Sequence, residues 1–254
     1  MAPPTRNPQA GRSLRSVPPV PAVRPAPPRA PALAARPVRP PAARGPSQLS
    51  LVWPPALVTL AVTLLRLVGE LRGWNPEYFS RLPGGGLAIV GITWLVPLVG
   101  AYFGWHLARS RVSIPELTGL VGWNAAAIAV GLGIGAGLEK AVQPSATNTL
   151  LLWAVVSLLV AAMSLSTWPT IGQLLLAYAL TARIPVLLVM ALAIRRNWGT
   201  HYDALPPDFP LLAPLGRFLW LGLLPQATIW VAFTLAVGTG FSALGVYLAA
   251  RRPR

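Results

Sequence analysis

An arginine and a glutamate lie four residues apart near the end of an otherwise apolar segment, TLLRLVGELRGW (63–74). Positions i and i+4 share one face of a helix, so Arg66 and Glu70 can form an ion pair in which Arg66 lies about 6 Å deeper. Such a pair lowers the free energy needed to bury both charges. In the alternative interpretation, Arg66 extends to the interface and Glu70 is already hydrated.

A second arginine, Arg183, lies in the middle of the apolar segment 170–194, too deep to reach water comfortably. Pro185 follows it and leaves one helical carbonyl without its usual partner. An irregular helix beside a buried charge is typical of many transport and ligand sites. We expect Glu70 or Glu139 as the counter-ion, and a purely structural ion pair explains Arg183 equally well.

The loop GTHYDALPPDF (199–209) is the one place where a base and a carboxylate are neighbours, His201 and Asp203. Together with Glu70 or Glu139 they could bind a metal or transfer a proton. A polar turn closed by the following prolines is the interpretation that we favour. We therefore predict neither a metal nor a cofactor.

Signatures of common catalytic sites are nearly absent from the chain. There is no GxSxG or HExxH motif, no phosphate-binding loop and no closely spaced pair of carboxylates. The chain has no cysteine, which excludes disulfides, thiolate catalysis and cysteine metal sites. An enzyme is therefore the less favoured class.

The composition indicates a membrane environment. Of 254 residues, 54% are hydrophobic and 11% are charged, with a mean hydropathy of +0.57, whereas soluble domains carry about 25% charged residues. Apolar runs of about 20 residues recur, and each can cross a hydrocarbon layer of about 30 Å. The predicted fold class is all-α, a polytopic bundle of transmembrane helices. Twenty arginines against one lysine indicate a GC-rich, bacterial source.

The first 49 residues differ from the rest of the chain. Residues 1–49 contain fourteen prolines and eight arginines but no acidic or aromatic residue, so we predict a disordered, Pro-rich basic tail. Its charge could attract anionic lipids, and nucleic-acid binding is not expected because nothing aromatic accompanies the charge. A helical membrane domain, 50–250, and a short basic tail, 251–254, follow.

Hydropathy predicts six spans, supported by tryptophans near their ends. Residues 211–250 are too long for one span, because forty helical residues measure about 60 Å, and Pro225 is the expected break. Residues 211–223 then lie along the interface or form a re-entrant segment, and Arg217 favours the interfacial helix. The predicted spans are approximately 51–71, 87–108, 114–138, 149–168, 170–194 and 226–249.

The distribution of basic residues predicts the orientation. With six spans, eight basic residues near span ends lie on the side of both termini and six lie on the other side. Positive residues favour the cytoplasm. We therefore expect both termini in the cytoplasm, with the bundle in the bacterial cytoplasmic membrane.

The glycine-rich segment GLGIGAG (131–137) predicts close packing of a helix. Gly131 and Gly135 share one face, and their spacing allows another backbone to approach. That backbone belongs to a helix of the same chain, to a second copy or to a different protein.

Three functions remain open from the sequence. The favoured function is a non-enzymatic membrane component or partner subunit, which fits the scarcity of motifs. The alternatives are a small transporter or channel for an anionic solute, using Arg183, Arg66 and Glu70, and a lipid-modifying enzyme acting through residues such as His201.

Overall fold

The computed structural model describes residues 48–86, 88–110, 112–143 and 145–251, all within one compact unit, 43–254. The predicted disorder and lipid contact of the basic tail therefore fall almost entirely outside the described residues. Within the described residues the fold is all-helical and contains no strand, as the apolar composition predicts.

Within the described residues, six long helical segments follow one another. Five are long and apolar enough to cross a membrane, so the chain has the architecture of a membrane-integral protein. The second helix is too short to count among these five. The segments are α1 (Gln48–Leu71), α2 (Leu95–Arg109), α3 (Leu117–Glu139), α4 (Ala146–Thr167), α5 (Pro169–Arg196) and α6 (Pro214–Arg251).

Helix α2 is shorter than the predicted span 87–108. Turns and bends occupy residues 81–86 and 88–94 around a 3₁₀ turn, Pro83–Gly85, and the three consecutive glycines 84–86 have positive φ. Such backbone cannot continue as an α-helix. The 15 residues of α2 measure about 22 Å and do not cover a hydrocarbon layer of about 30 Å.

Helix α6 is longer than the predicted last span 226–249. The chain stays helical from Pro214, so residues 214–223 are continuous with the last helix, and whether they lie along the interface stays a prediction. Pro225 does not break the helix, because a π-helical turn at Phe218–Leu223 precedes it and the backbone departs from regular geometry at Thr228. Such turns accommodate a proline that lacks an N–H.

The core is built around α5, whose buried residues recur at helical spacing from Ile171 to Ile194. Helix α5 contacts both α1 and α6, and it continues without interruption through Pro185. Between α1 and α5, the hydroxyls of Thr59 and Tyr178 share a hydrogen bond of 2.7 Å. This packing brings the charged end of α1 beside the loop that follows α5.

Glycines set the closest helix contacts. Gly131 faces Val160 and Gly135 faces the ring of Trp153, so this face of α3 packs against α4 of the same chain. On the opposite face of α3, Gly133 has no neighbouring atom within 4 Å of a Cβ position.

Helices α2 and α6 approach each other through their backbones. A Cβ atom on Gly100 would overlap the carbonyl oxygen of Gly238, and one on Gly104 would overlap that of Ser242. Gly245 of α6 meets α2 in the same way. These contacts require glycine, because any side chain would separate the two helices.

Candidate functional site

Arg66 and Glu70 form the ion pair that their spacing permits. The Nε–H of Arg66 donates to Oε1 of Glu70 at 2.8 Å, and the two side chains are 10% and 0% exposed. Neither charge extends to solvent, so the alternative in which Arg66 reaches the interface does not describe this structure. A buried carboxylate must satisfy its remaining oxygen lone pairs within the protein.

His201 supplies those remaining contacts. Its backbone N–H donates to Oε2 of Glu70 at 2.8 Å, and its Nδ1 lies 2.5 Å from Oε1. The loop after α5 is thereby attached to α1 by two hydrogen bonds to one carboxylate. Arg81 adds a donor to the backbone carbonyl of Glu70.

Asp203 shapes this loop and takes no part in the Glu70 contacts. Its carboxylate accepts hydrogen bonds from the backbone N–H groups of Gly199 and Thr200 and from the Thr200 hydroxyl. Arg217 of α6 donates to the Asp203 carbonyl at 2.7 Å. The polar turn that the sequence favours is therefore present, and it holds His201 against α1.

The environment of His201 keeps its ring neutral. Burial lowers the pKa of His201, the hydrogen bond to Glu70 opposes that effect, and the nearby Arg66 charge lowers the pKa further. A neutral imidazole beside a carboxylate carries its proton on Nδ1, so Nε2 presents a lone pair. Burial also raises the pKa of Tyr202, whose hydroxyl donates to the Thr63 carbonyl at 3.2 Å.

The turn between α1 and α2 encloses the guanidinium of Arg66. Its Nη2 group donates to the carbonyls of Ser80 and Gly85, at 3.1 and 2.8 Å. Gly85 and Gly91 both lie against the guanidinium, where a Cβ atom would come within 3.1 Å of Arg66 nitrogens. Their missing side chains leave Nη1 uncovered, and Nη1 has no hydrogen-bond partner within the described part of the chain.

Arg183 is buried without the carboxylate that we expected. Its Nη2 group donates to the Trp230 carbonyl and the Thr234 hydroxyl, each at 3.2 Å, and the guanidinium lies 5.8 Å from the Trp230 ring centre. Its Nε has no partner, and Arg183 forms no ion pair with any residue that the structure describes. Glu70 is engaged elsewhere, and Glu139 is exposed at the end of α3.

Arg66, Arg183 and His201 line a single cavity of about 520 Å³. The surrounding surface is mostly apolar and includes the rings of Trp153 and Trp230. With His201 neutral, two guanidiniums and one carboxylate give the cavity a formal charge of +1. Sequence patterns did not identify the tryptophans or Gly91, because hydropathy treats such residues as ordinary span and turn positions.

Metal binding finds no support in this arrangement. No group of three histidine, aspartate or glutamate side chains within residues 48–251 is placed to hold a metal ion, leaving aside the three positions not described. Glu139 does not join His201, and the Asp203 oxygens are used within their own loop. The cavity offers cationic donors, which suit an anion instead.

Fold and site together define a helical membrane protein with a cationic internal cavity. Comparison with known proteins adds no family: no family model matches the chain, and neither a curated protein nor a solved structure matches it significantly. The function has to be argued from the cavity itself.

Proposed function

We propose that this protein binds an anionic amphiphile, a lipid-like molecule with a charged head group, in the cavity between α1, α4, α5 and α6. The observation that carries the proposal is Arg183, a buried guanidinium on the cavity with no acidic partner among the described residues. A buried cation without a counter-ion is energetically unfavourable, and an anionic ligand would remove that cost.

The rest of the cavity fits the same class of ligand. Its apolar walls and rings suit hydrocarbon, whereas Nη1 of Arg66 and the guanidinium of Arg183 provide donors for a head group. Guanidinium groups bind phosphate and carboxylate oxygens in fixed geometry and stay charged in apolar surroundings. A volume of about 520 Å³ falls within the usual range for small-ligand sites, about 300–1,000 Å³.

Calorimetric titration of the purified protein in a neutral maltoside detergent tests the proposal. Dodecyl phosphate should bind, whereas dodecanol, which has the same alkyl chain and no charge, should bind at least about tenfold more weakly, because a hydrogen bond to a charged group contributes roughly 1.5–3 kcal/mol. Arg183→Gln should weaken binding of dodecyl phosphate by about tenfold or more. Arg195→Gln, at an exposed arginine of the same helix, is the matched control. Equal affinity of wild type and Arg183→Gln would overturn the proposal.

Transport of the bound anion across the membrane is a second candidate function. The cavity runs from the turn at Pro83 and Gly84 to Arg183 and Trp230, and so joins the end of α1 to the middle of α5. In proteoliposomes, movement of a fluorescent phosphatidylglycerol between leaflets should stop with Arg183→Leu while expression persists. Unchanged movement in that variant would exclude this role for Arg183.

The role of a non-enzymatic component remains a competing proposal. Its support is the outer face of α3, where Gly119, Gly122, Gly133 and Gly137 have no atom within 4 Å of their Cβ positions. A partner subunit or a second copy would cover such a face. A stable co-purifying protein or a dimer in mild detergent supports this proposal, and a solitary monomer speaks against it.

We further propose that both termini face the cytoplasm of a bacterial cell, on the basic-residue pattern alone. This orientation requires α2 to count as a crossing, because five spans place the termini on opposite sides. The chain lacks cysteine, so a single cysteine can be introduced near either terminus. A maleimide that cannot cross the membrane then labels that cysteine in intact cells only if the terminus lies outside the cytoplasm. Labelling of one terminus in intact cells would refute a shared cytoplasmic location.

A further inference from the structure

We infer that His201 is a general base, held by Glu70, that activates water for hydrolysis of a phosphoester in the bound amphiphile. This inference rests on the proposed function, since it requires an anionic amphiphile in the cavity. It assigns a chemical reaction to a protein that lacks the common catalytic signatures.

The geometry around the imidazole supports the assignment. Nδ1 lies 2.5 Å from Glu70 Oε1, and the adjacent backbone N–H fixes the other oxygen of the same carboxylate. Arg66 donates to Oε1 as well, so the carboxylate cannot turn away. A carboxylate that holds one ring nitrogen fixes the tautomer and leaves the second nitrogen as the base.

The second ring nitrogen faces no competing group. Nε2 of His201 makes no hydrogen bond within the described part of the chain, and the residue lines the cavity that also holds Arg66 and Arg183. Base and cations therefore share one space.

The guanidinium groups of Arg66 and Arg183 indicate that the bond to be hydrolysed is a phosphoester. Phosphoryl groups carry negative charge on several oxygens throughout a displacement, and guanidinium groups stabilise that charge. Nη1 of Arg66 and the guanidinium of Arg183 are the cavity donors available for these oxygens. Glu70 pairs with Arg66, and no acidic side chain among the described residues pairs with Arg183. A neutral acyl ester would make little use of two guanidiniums.

The proposed step balances with water as the co-reactant. Nε2 takes a proton from water while the water oxygen forms a bond to phosphorus. The bond from phosphorus to the ester oxygen breaks, and its electron pair stays on the departing oxygen. The imidazolium then gives its proton to that oxygen, so the net change is addition of water without oxidation or reduction.

Dodecyl 4-nitrophenyl phosphate is a suitable probe, because its hydrolysis releases coloured 4-nitrophenolate. His201→Asn keeps an N–H near the Nδ1 position for Glu70 and removes the base. We expect a fall of about 100-fold or more in release, with the affinity for dodecyl phosphate unchanged within about twofold. His106→Asn, which alters the other histidine of the chain, beside Tyr102 on α2, should leave release unchanged.

A second measurement covers the case in which His201→Asn does not fold. For the wild-type protein, release, read after each sample is made alkaline so that all of the 4-nitrophenol is ionised, should fall as pH drops through the pKa of His201, which lies below the usual 6.5, because protonation removes the lone pair. Binding of dodecyl phosphate without release of 4-nitrophenolate at any pH would overturn this inference and leave the proposed function standing. Absence of binding would overturn both.

Discussion

Nδ1 of His201 lies 2.5 Å from Oε1 of Glu70, although the two residues are 131 positions apart in the chain. Glu70 is fully buried at the end of α1, and His201 lies in the loop that follows α5. The contact joins the loop after α5 to a buried charge at the end of α1, so changes at either residue should affect both fold and site.

Glu70→Gln should destabilise the protein by about 3 kcal/mol, because it leaves Arg66 buried without its counter-charge. The measurement is the midpoint of thermal or denaturant unfolding in neutral detergent. Glu77→Gln, at an exposed glutamate in the following turn, is the control and should change stability by less than about 0.5 kcal/mol. Equal stability of the two variants would show that the buried pair contributes nothing.

Stability should fall on acidification below about pH 6.5. The folded pKa of His201 is lowered by burial, so the unfolded chain takes up the proton first as the pH decreases. The contribution of His201 to the free energy of unfolding is therefore complete above its pKa in the unfolded chain. It is lost as the pH drops towards the lower pKa of His201 in the folded protein. The charged and titratable groups that face the ring are Glu70, Arg66, Asp203 and Tyr202.

Unfolding experiments at about pH 7.5 to 5.5 measure how steeply the free energy of unfolding falls with pH. His201→Asn should flatten it, whereas His106→Asn should retain it. A slope that persists unchanged in His201→Asn would assign the pH dependence to other groups.

Gly100→Ala should destabilise the bundle by about 1–3 kcal/mol, because a methyl group there forces α2 and α6 apart. The matched control is Gly119→Ala on α3, where a Cβ meets no atom within 4 Å. That change should be neutral or stabilising by up to about 1 kcal/mol, since alanine favours helix more than glycine. Comparable destabilisation by both substitutions would contradict the close contact of α2 with α6.

Arg183→Leu should raise the unfolding midpoint of the ligand-free protein. A buried guanidinium without an acidic partner is less favourable than a well-packed apolar side chain, and related replacements have stabilised proteins by about 1–4 kcal/mol. A gain in stability with a loss of anion binding is expected of a residue retained for function. A lower midpoint would instead indicate that Arg183 serves the structure.

Local spacing made the Arg66–Glu70 pair possible, because four residues on a helix place both side chains on one face, but it left open whether Arg66 extends to the interface instead. The partner of His201 could not be chosen in this way. Glu70 and Glu139 were equivalent candidates in the sequence, and only the packing of α1 against α5 decides between them. The absence of a carboxylate beside Arg183 follows from the same packing.

Hydropathy predicted the long apolar helices but not the limits of two of them. The residues before Leu95 are apolar enough for a span, yet the glycines at 84–86 adopt backbone angles that no helix accepts. Conversely, Pro225 was expected to end a helix, and a wider turn before it lets the helix continue. The limits of both helices depend on local backbone geometry, which the mean hydropathy of a segment does not describe.

The position of Arg183 has a consequence for biosynthesis. Its described acceptors, the Trp230 carbonyl and the Thr234 hydroxyl, both belong to α6, which leaves the ribosome after α5. A nascent polypeptide that has inserted only through α5 therefore carries a guanidinium with neither acceptor in place. Synthesis of α6 satisfies that charge, so a chain truncated before α6 should be marked for proteolysis.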